Sequence, residues 1–161
     1  MIKVLFVCLG NICRSPTADG IFRELLVRNK LEQKILVDSA GTGAWHIGKA
    51  PDSRTVIAAR QRGYDLSVLR ARQVKTHDFS KFDYVLAMDQ SNLMDLQRMK
   101  PSTYTGHLGL FLEFGSRVDY CEVPDPYHGG KDDFELVLDL VEDAAQGLLN
   151  HIRSNSFIKS L

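Results

Sequence analysis

The chain has 161 residues, 44% of them hydrophobic and 25% charged, a composition typical of one globular domain. Twenty Lys and Arg residues balance twenty Asp and Glu residues, so the overall charge gives no basis for nucleic acid or an anionic membrane as a partner. Three cysteines are too few for a disulfide framework, and the apolar run at residues 1–7 is too short for a signal peptide or a membrane span. We therefore expect a single domain over residues 1–161, located in the cytoplasm.

The first half of the chain alternates between strand and helix patterns. The apolar run at residues 3–7 predicts a strand that is buried on both faces. Ser15-Pro16 predicts a helix start with proline at the first helical position, and residues 35–37 predict a second short strand. Another helix is expected to open at Pro51-Asp52 and to end near Gly63.

The second half continues this alternation. Residues 84–87 predict a third strand, and a helix is expected from about Asp89 to a point before Pro101. A fourth strand is expected within residues 107–112, although Gly109 weakens the pattern.

The last predicted helix has the clearest periodicity. Apolar residues from Phe134 to Ile152 share one stripe, and Asp132 with Glu135 resembles a capping box at the helix start. Strands alternating with helices indicate an α/β fold with a doubly wound parallel sheet and helices on both faces. Ligands of such sheets bind beyond the carboxyl ends of the strands, which directs attention to the segment after the first strand.

That segment has the features of a phosphate-binding loop. Residues 8–16 read CLGNICRSP and join the first predicted strand to the first predicted helix. A loop in this position aims backbone N–H groups inward, and the helix N-terminus adds partial positive charge. Gly10 and Asn11 readily take the left-handed conformations that such a curl needs, and Arg14 offers a planar fork for two phosphate oxygens.

Cys8 lies where these N–H groups converge, which favours its thiolate form. The Ser15 hydroxyl is in sequence range to donate a further hydrogen bond to the sulfur. A thiolate beneath a bound phosphoryl group is aligned for nucleophilic attack. The loop is not a nucleotide-binding loop, because the Gly-Lys-Ser/Thr ending is missing. The alternative interpretation is a buried structural cysteine beside a surface arginine.

Several motifs resemble the low-molecular-weight protein tyrosine phosphatases. The likeness extends over nearly the whole chain. It is carried by residues 4–16, 37–41 and 82–84, by Met88-Asp89 with Ser91-Asn92, and by Asp125-Pro126-Tyr127. The resemblance implies a four-stranded parallel sheet of the flavodoxin-like type and no cofactor. It also implies hydrolysis of phosphotyrosine and small aryl phosphates, with phosphotyrosine-containing proteins as partners and inorganic phosphate as a product.

The resemblance also implies roles for individual residues. Cys8 is the expected nucleophile, Arg14 the phosphate ligand and Asp125 the general acid, and no residue is expected to bind a metal. The residues expected to contact substrate are Leu9, Gly10, Asn11, Ile12, Cys13, Ser15, Trp45 and Tyr127. The residues expected to hold the loop in shape are Asn11, Ser15 and Ser39. Cys13 matches a loop cysteine that forms a reversible disulfide with Cys8 in the family, so the site is expected to be redox-sensitive.

Two positions depart from the family pattern. Leu69 stands where a histidine usually braces the loop, which leaves the support of the loop open. His128 follows the Asp-Pro-Tyr segment where a second aromatic residue is common, which leaves substrate preference open.

Other functions remain as alternatives. Arsenate reduction on this fold needs a downstream pair of resolving cysteines, and only Cys121 lies downstream. Relatives that hydrolyse phosphoarginine tend to carry threonine at the position of Ile12, so aryl phosphate is favoured. A phosphate-binding module without turnover would need no nucleophile, and Asp125 read by itself is an ordinary turn aspartate. The chain is expected to be a monomer or a weak dimer.

Overall fold

The computed structural model describes residues 1–155. Its strands are β1 (Ile2–Cys8), β2 (Ile35–Gly41), β3 (Tyr84–Ala87) and β4 (His107–Leu110). Its α-helices are α1 (Arg14–Arg28), α2 (Ser53–Gln61), α3 (Asp78–Lys81), α4 (Gln90–Met99) and α5 (Lys131–Ser154), and a 3₁₀-helix covers Phe111–Phe114. The predicted alternation of strands and helices is therefore confirmed, and the one-turn helix α3 and the 3₁₀-helix were not predicted.

All four strands are parallel and lie in the order β2-β1-β3-β4. The chain runs from β1 to β2 on one side and then crosses back past β1 to β3 on its other side, and this change of direction opens a crevice at the carboxyl end of β1. Cys8 is the last residue of β1 and pairs in register with Gly41, the last residue of β2. The predicted parallel sheet is confirmed, and its topology places Cys8 at the base of this crevice.

The central strand β1 is buried on both faces, as its apolar run predicted. Val4, Phe6 and Cys8 point into the core under α1 and α5, whereas Leu5 and Val7 point into a second core on the other face of the sheet. Residues of α5 form the largest helical contribution to the first core, in agreement with the stripe from Phe134 to Ile152. None of the helices within residues 1–155 is long and apolar enough to cross a membrane.

Two helix starts differ from the prediction. Helix α1 begins at Arg14, so Pro16 is its third residue rather than its first. Proline is tolerated there because an N–H in the first turn has no partner within the helix. Helix α5 begins after Gly130, whose N–H donates to Asp133 Oδ2 at 2.8 Å. The predicted capping pair of Asp132 and Glu135 is therefore wrong by two residues, because the helix begins earlier and Gly130 and Asp133 take the two positions.

The boundaries of α2 and α4 agree with the prediction. Asp52 caps α2 by accepting a hydrogen bond from the Arg54 N–H at 2.9 Å, and Gly63 follows the helix with a left-handed φ of +90°. Asp89 caps α4 by accepting from the Asn92 N–H at 2.8 Å, and Pro101 lies beyond its end.

Candidate active site

The loop of residues 9–13 is tied to its surroundings by its carbonyl groups. The Cys8 and Leu9 carbonyls each accept from the segment after β2, at 2.9 Å, and the Ile12 carbonyl accepts from the Asp52 N–H at 2.8 Å. Because these carbonyls face outward, the loop curls around Cys8. The Asn11 N–H points to Cys8 Sγ at 3.2 Å, and Ser15 Oγ lies 3.0 Å from the same sulfur. The sulfur is thus surrounded by hydrogen-bonding groups, although Cys8 is only 2% exposed.

Asn11 is the residue that lets the loop turn. Its φ of +57° lies in the left-handed region. Gly10 does not have a positive φ, so only one of the two residues predicted to be left-handed adopts that conformation. The Asn11 amide donates to Ser15 Oγ at 2.8 Å and to Ser39 Oγ at 3.0 Å. Its carbonyl oxygen accepts from the Arg72 N–H at 3.0 Å. The three residues predicted to hold the loop in shape therefore lie in one buried hydrogen-bonded group, and Arg72 extends it.

Arg14 is held in a fixed orientation at the start of α1. Its Nη1 donates to Asp89 Oδ2 at 2.7 Å and to the Val123 carbonyl at 3.0 Å, and the residue is 3% exposed. Burial disfavours the charge, but the adjacent Cys8 and Asp89 outweigh it and raise the pKa of the guanidinium above its usual value. With Nη1 occupied, the Nη2 side of the fork faces the cleft, where it lies 3.8 Å from Asp125 Oδ2.

The tertiary structure brings Asp125 to the loop from more than a hundred residues away in sequence. Its side chain is 48% exposed, and its Oδ1 accepts from the Tyr127 N–H at 3.2 Å. Together these groups line a cleft of about 220 Å³. The lining residues are Cys8, Leu9, Gly10, Ile12, Cys13, Arg14, Trp45, His46, Asp125, Tyr127 and His128. Trp45, which is 68% exposed, and Tyr127 therefore stand at the rim, and Cys8 at the base.

Sequence reasoning did not assign roles to several residues that complete this site. Asp89 could have been suspected as a carboxylate directly after a buried strand, but its contact with Arg14 depends on the fold. Arg72 lies in the Arg-Ala-Arg-Gln stretch at residues 70–73, which follows Leu69 and resembles the family, but no role was predicted for it. Its guanidinium pairs with Asp38 and Asp78, at 3.1 and 3.0 Å, and so anchors the segment that supports Asn11. Leu69, which replaces the histidine common in the family, is half-buried against the core.

Gly41 is a further residue whose importance is visible only in three dimensions. A Cβ at this position would lie 2.6 Å from the Leu9 carbonyl oxygen and 3.1 Å from the Gly10 carbonyl carbon. We expect Gly41→Ala to push the loop away from β2, with a loss of about 1–3 kcal/mol in the free energy of unfolding and a lower kcat/KM for aryl phosphates. Urea unfolding and steady-state kinetics measure the two effects, and an unchanged kcat/KM would show that the loop does not depend on this close approach.

Cys13 differs from Cys8 in its environment. Burial raises the pKa of the Cys13 thiol from 9.0 to about 12, against the lowering effect of the Thr55 hydroxyl. The Cys13 thiol therefore stays protonated at neutral pH. All three cysteines are free thiols in this structure.

This shift predicts an alkaline loss of stability. Above pH 9 the unfolded thiol loses its proton while the folded one keeps it, so the free energy of unfolding falls as pH rises toward 12. The expected contribution of Cys13 is about 1.4 kcal/mol per pH unit in that window. Urea unfolding between pH 8 and pH 10.5 should therefore show a shallower decline for Cys13→Ala than for the native chain. Parallel declines would contradict the assignment.

In the described part of the chain, no group of three or more His, Cys, Asp or Glu side chains is placed to hold a metal ion.

Comparison with known proteins identifies the family. The family model described as low molecular weight phosphotyrosine protein phosphatase matches residues 3–157. The low molecular weight protein-tyrosine-phosphatase YfkJ of Bacillus subtilis is 44% identical over 153 residues, which cover 95% of this chain and 97% of the relative. The chain is therefore a phosphatase. It belongs to the low molecular weight protein tyrosine phosphatases, which confirms the resemblance seen in its motifs.

Solved structures agree with this assignment. A crystal structure of a protein tyrosine phosphatase from Entamoeba histolytica matches with a TM-score of 0.92 at 38% identity, covering 96% of this chain and 98% of that chain. A crystal structure of a Drosophila arginine phosphatase matches with a TM-score of 0.90 at 33% identity, covering 96% and 100% of the two chains. The fold is thus shared by phosphatases named for two different phosphorylated side chains.

Proposed function

We propose that this chain hydrolyses phosphotyrosine in proteins, and small aryl phosphates, through a phosphocysteine intermediate on Cys8. The observation that carries the proposal is the meeting of three groups in one cleft: the Cys8 sulfur at the base, the Arg14 fork beside it, and the Asp125 carboxyl group 3.8 Å from that fork. A nucleophile, an anion ligand and an acid are the three functions that this reaction needs.

In the first step the Cys8 thiolate attacks phosphorus. The sulfur–phosphorus bond forms while the bond from phosphorus to the phenolic oxygen breaks, and protonated Asp125 gives its proton to the leaving oxygen. A free phenolate is a poor leaving group because phenol has a pKa of about 10. The Asn11 N–H and the Ser15 hydroxyl stabilise the thiolate before the attack, since both already contact Sγ.

In the second step water attacks the phosphocysteine. Asp125, now ionised, accepts a proton from that water, the sulfur–phosphorus bond breaks, and inorganic phosphate leaves with the Cys8 thiolate restored. Throughout both steps Arg14 holds phosphate oxygens with the part of its fork that Asp89 and Val123 leave free. The guanidinium needs no reorganisation, because those two contacts fix its plane in advance.

The rim of the cleft supports an aromatic leaving group. Trp45 and Tyr127 are exposed at the mouth, whereas Cys8 and Arg14 are buried at the base. A substrate whose aromatic ring lies between Trp45 and Tyr127 places its phosphate at the Cys8 sulfur. The shorter phosphoserine side chain has no ring to contact these two residues. Cys121 is exposed and does not line the cleft, which disfavours a sequential thiol mechanism of arsenate reduction.

The decisive experiment is phosphate release in the presence of a chelator. A phosphotyrosine peptide, the matched phosphoserine peptide and phosphoarginine are compared, and the reaction is acid-quenched so that mass spectrometry can locate trapped phosphate. We expect turnover of the phosphotyrosine peptide and phosphate on Cys8. Binding of phosphate without release from any substrate would indicate an anion-binding module instead. Preferential turnover of phosphoarginine would instead indicate that the substrate is phosphorylated arginine, as the name of the Drosophila relative states for that protein.

Asp125→Asn should slow formation of the intermediate. General acid catalysis is worth about 10²–10⁴-fold, so kcat/KM for phosphotyrosine should fall by about that factor. The loss should shrink for p-nitrophenyl phosphate, because its phenolate leaves without a proton. Kinetics over a series of aryl phosphates measure this dependence on the leaving group. Asp119→Asn is the matched control, because Asp119 is an exposed aspartate paired with Arg117 outside the cleft. An equal loss for all leaving groups would contradict the acid role.

A further inference from the structure

The segment that carries Asp125 is held from both ends. On the N-terminal side, the Val123 N–H donates to the Met88 carbonyl at 2.8 Å, and the Val123 carbonyl accepts from Arg14 Nη1 at 3.0 Å. On the C-terminal side, the Tyr127 carbonyl accepts from Arg54 Nη2 at 2.9 Å. Asp125 therefore lies between an anchor at the sheet and an anchor on helix α2.

Arg54 is itself fixed on several sides. Its Nε and Nη2 donate to the two carboxylate oxygens of Asp52, both at 3.0 Å, and Asp52 is the N-cap of α2. The guanidinium also lies over the Phe134 ring, 4.8 Å from its centroid, and over the Tyr127 ring, 5.6 Å from its centroid. The Arg54 side chain is 44% exposed, but the Asp52 carboxylate and the two aromatic rings restrict its orientation.

The Tyr127 residue connects this support to the acid. Its carbonyl accepts from Arg54, and its N–H donates to Asp125 Oδ1 at 3.2 Å. Movement of Tyr127 would therefore move both the aromatic rim and the carboxyl group that gives up the proton. The two hydrogen bonds of Tyr127 involve no residue of β1 or of the loop at 9–13, although the Asp52 N–H also donates to the Ile12 carbonyl of that loop.

We propose that Arg54 is a positioning residue for Asp125, which fixes the acid over the leaving oxygen through the Tyr127 peptide unit. The proposal rests on the proposed function, because it needs Asp125 to act as the general acid. A displacement of a catalytic group by about 1 Å is enough to cost on the order of 10²-fold in rate. Loss of the Arg54 fork should therefore reduce acid catalysis without removing the nucleophile or the phosphate ligand.

The test measures kcat/KM for aryl phosphates whose phenols range from weakly to strongly acidic. For Arg54→Met we expect about a tenfold loss with the least acidic phenols and little loss with p-nitrophenyl phosphate, in the same direction as Asp125→Asn. Arg54→Lys keeps the charge but not the fork and should lie between Arg54→Met and the native chain. Arg98→Met is the matched control, because Arg98 is an exposed helix arginine paired with Asp95 and does not line the cleft.

The double variant Arg54→Met with Asp125→Asn separates positioning from a structural role. If Arg54 acts through the acid, the second substitution adds almost nothing once Asp125 is gone. If Arg54 only stabilises the fold, its loss is the same in both backgrounds and for all leaving groups, and the proposal is overturned. Should Arg54→Met fail to fold, Arg54→Lys in the two backgrounds gives the same comparison.

The outcomes also distinguish this proposal from the proposed function. A leaving-group dependence in Asp125→Asn without one in Arg54→Met leaves the phosphatase mechanism standing and removes the positioning role. No such dependence in Asp125→Asn removes the acid assignment, and the role of Arg54 falls with it. Loss of phosphate release in the native chain would remove the proposed function itself.

Discussion

Cys8→Ser is expected to abolish phosphate release, with a loss of at least about 10⁴-fold in kcat for phosphotyrosine. A serine oxygen accepts the same hydrogen bond from the Asn11 N–H and keeps the neighbouring Ser15 hydroxyl, so the loop should retain its shape. The hydroxyl is not ionised at neutral pH, however, and the nucleophile is lost. Stopped assays of phosphate release, with acid-quench mass spectrometry for trapped phosphate, measure the effect.

Cys121→Ser is the matched control for this experiment. Cys121 is exposed and lies outside the cleft, so its substitution should leave phosphate release near the native value. The Cys8→Ser variant should still bind inorganic phosphate, because Arg14 and the loop N–H groups remain. Residual turnover close to native would show that another group performs the attack and would remove the phosphocysteine step.

Arg14→Lys is expected to lower kcat/KM by about 10³–10⁵-fold, the range associated with an arginine that stabilises phosphoryl transfer. Lysine keeps the positive charge beside Asp89, which limits the loss of stability. It cannot donate to Asp89 and the Val123 carbonyl and at the same time present a planar pair of N–H groups to phosphate. We therefore expect Arg14→Lys to lower kcat/KM far more than its effect on the free energy of unfolding would explain.

Two measurements separate these effects. Steady-state kinetics give the loss of kcat/KM, and urea unfolding gives the free energy of unfolding of the same variant. Arg98→Lys is the control for an arginine outside the cleft. A loss of activity that follows stability alone would indicate that Arg14 is a structural residue held by Asp89.

Much of the loop could be predicted because its chemistry is local. Cys8, Asn11 and Arg14 lie within seven residues, between a strand and a helix, and the contacts that the loop makes with itself follow from that spacing. Local reasoning was less successful where neighbouring residues compete for one role. Asn11 but not Gly10 takes the left-handed conformation, and Asp133 rather than Glu135 accepts the hydrogen bond from the N-cap of α5. The choice between such neighbours depends on packing against the rest of the chain.

Patterns of apolar residues were sufficient for the α/β class and the strand positions, and the polar residues at 8–16 were sufficient to predict an anion loop after β1, because burial and loop chemistry act over a few residues. The tertiary structure decided which distant groups complete the site. Asp89 reaches Arg14 because it follows β3, whose carboxyl end lies beside that of β1. Asp125 reaches Arg14 because its loop is tied to Met88, at the end of β3, through the Val123 N–H. Arg54 and Arg72 brace the site only after that packing. Contacts between residues far apart in sequence depend on the whole arrangement of the sheet and helices, and no local pattern contains that information.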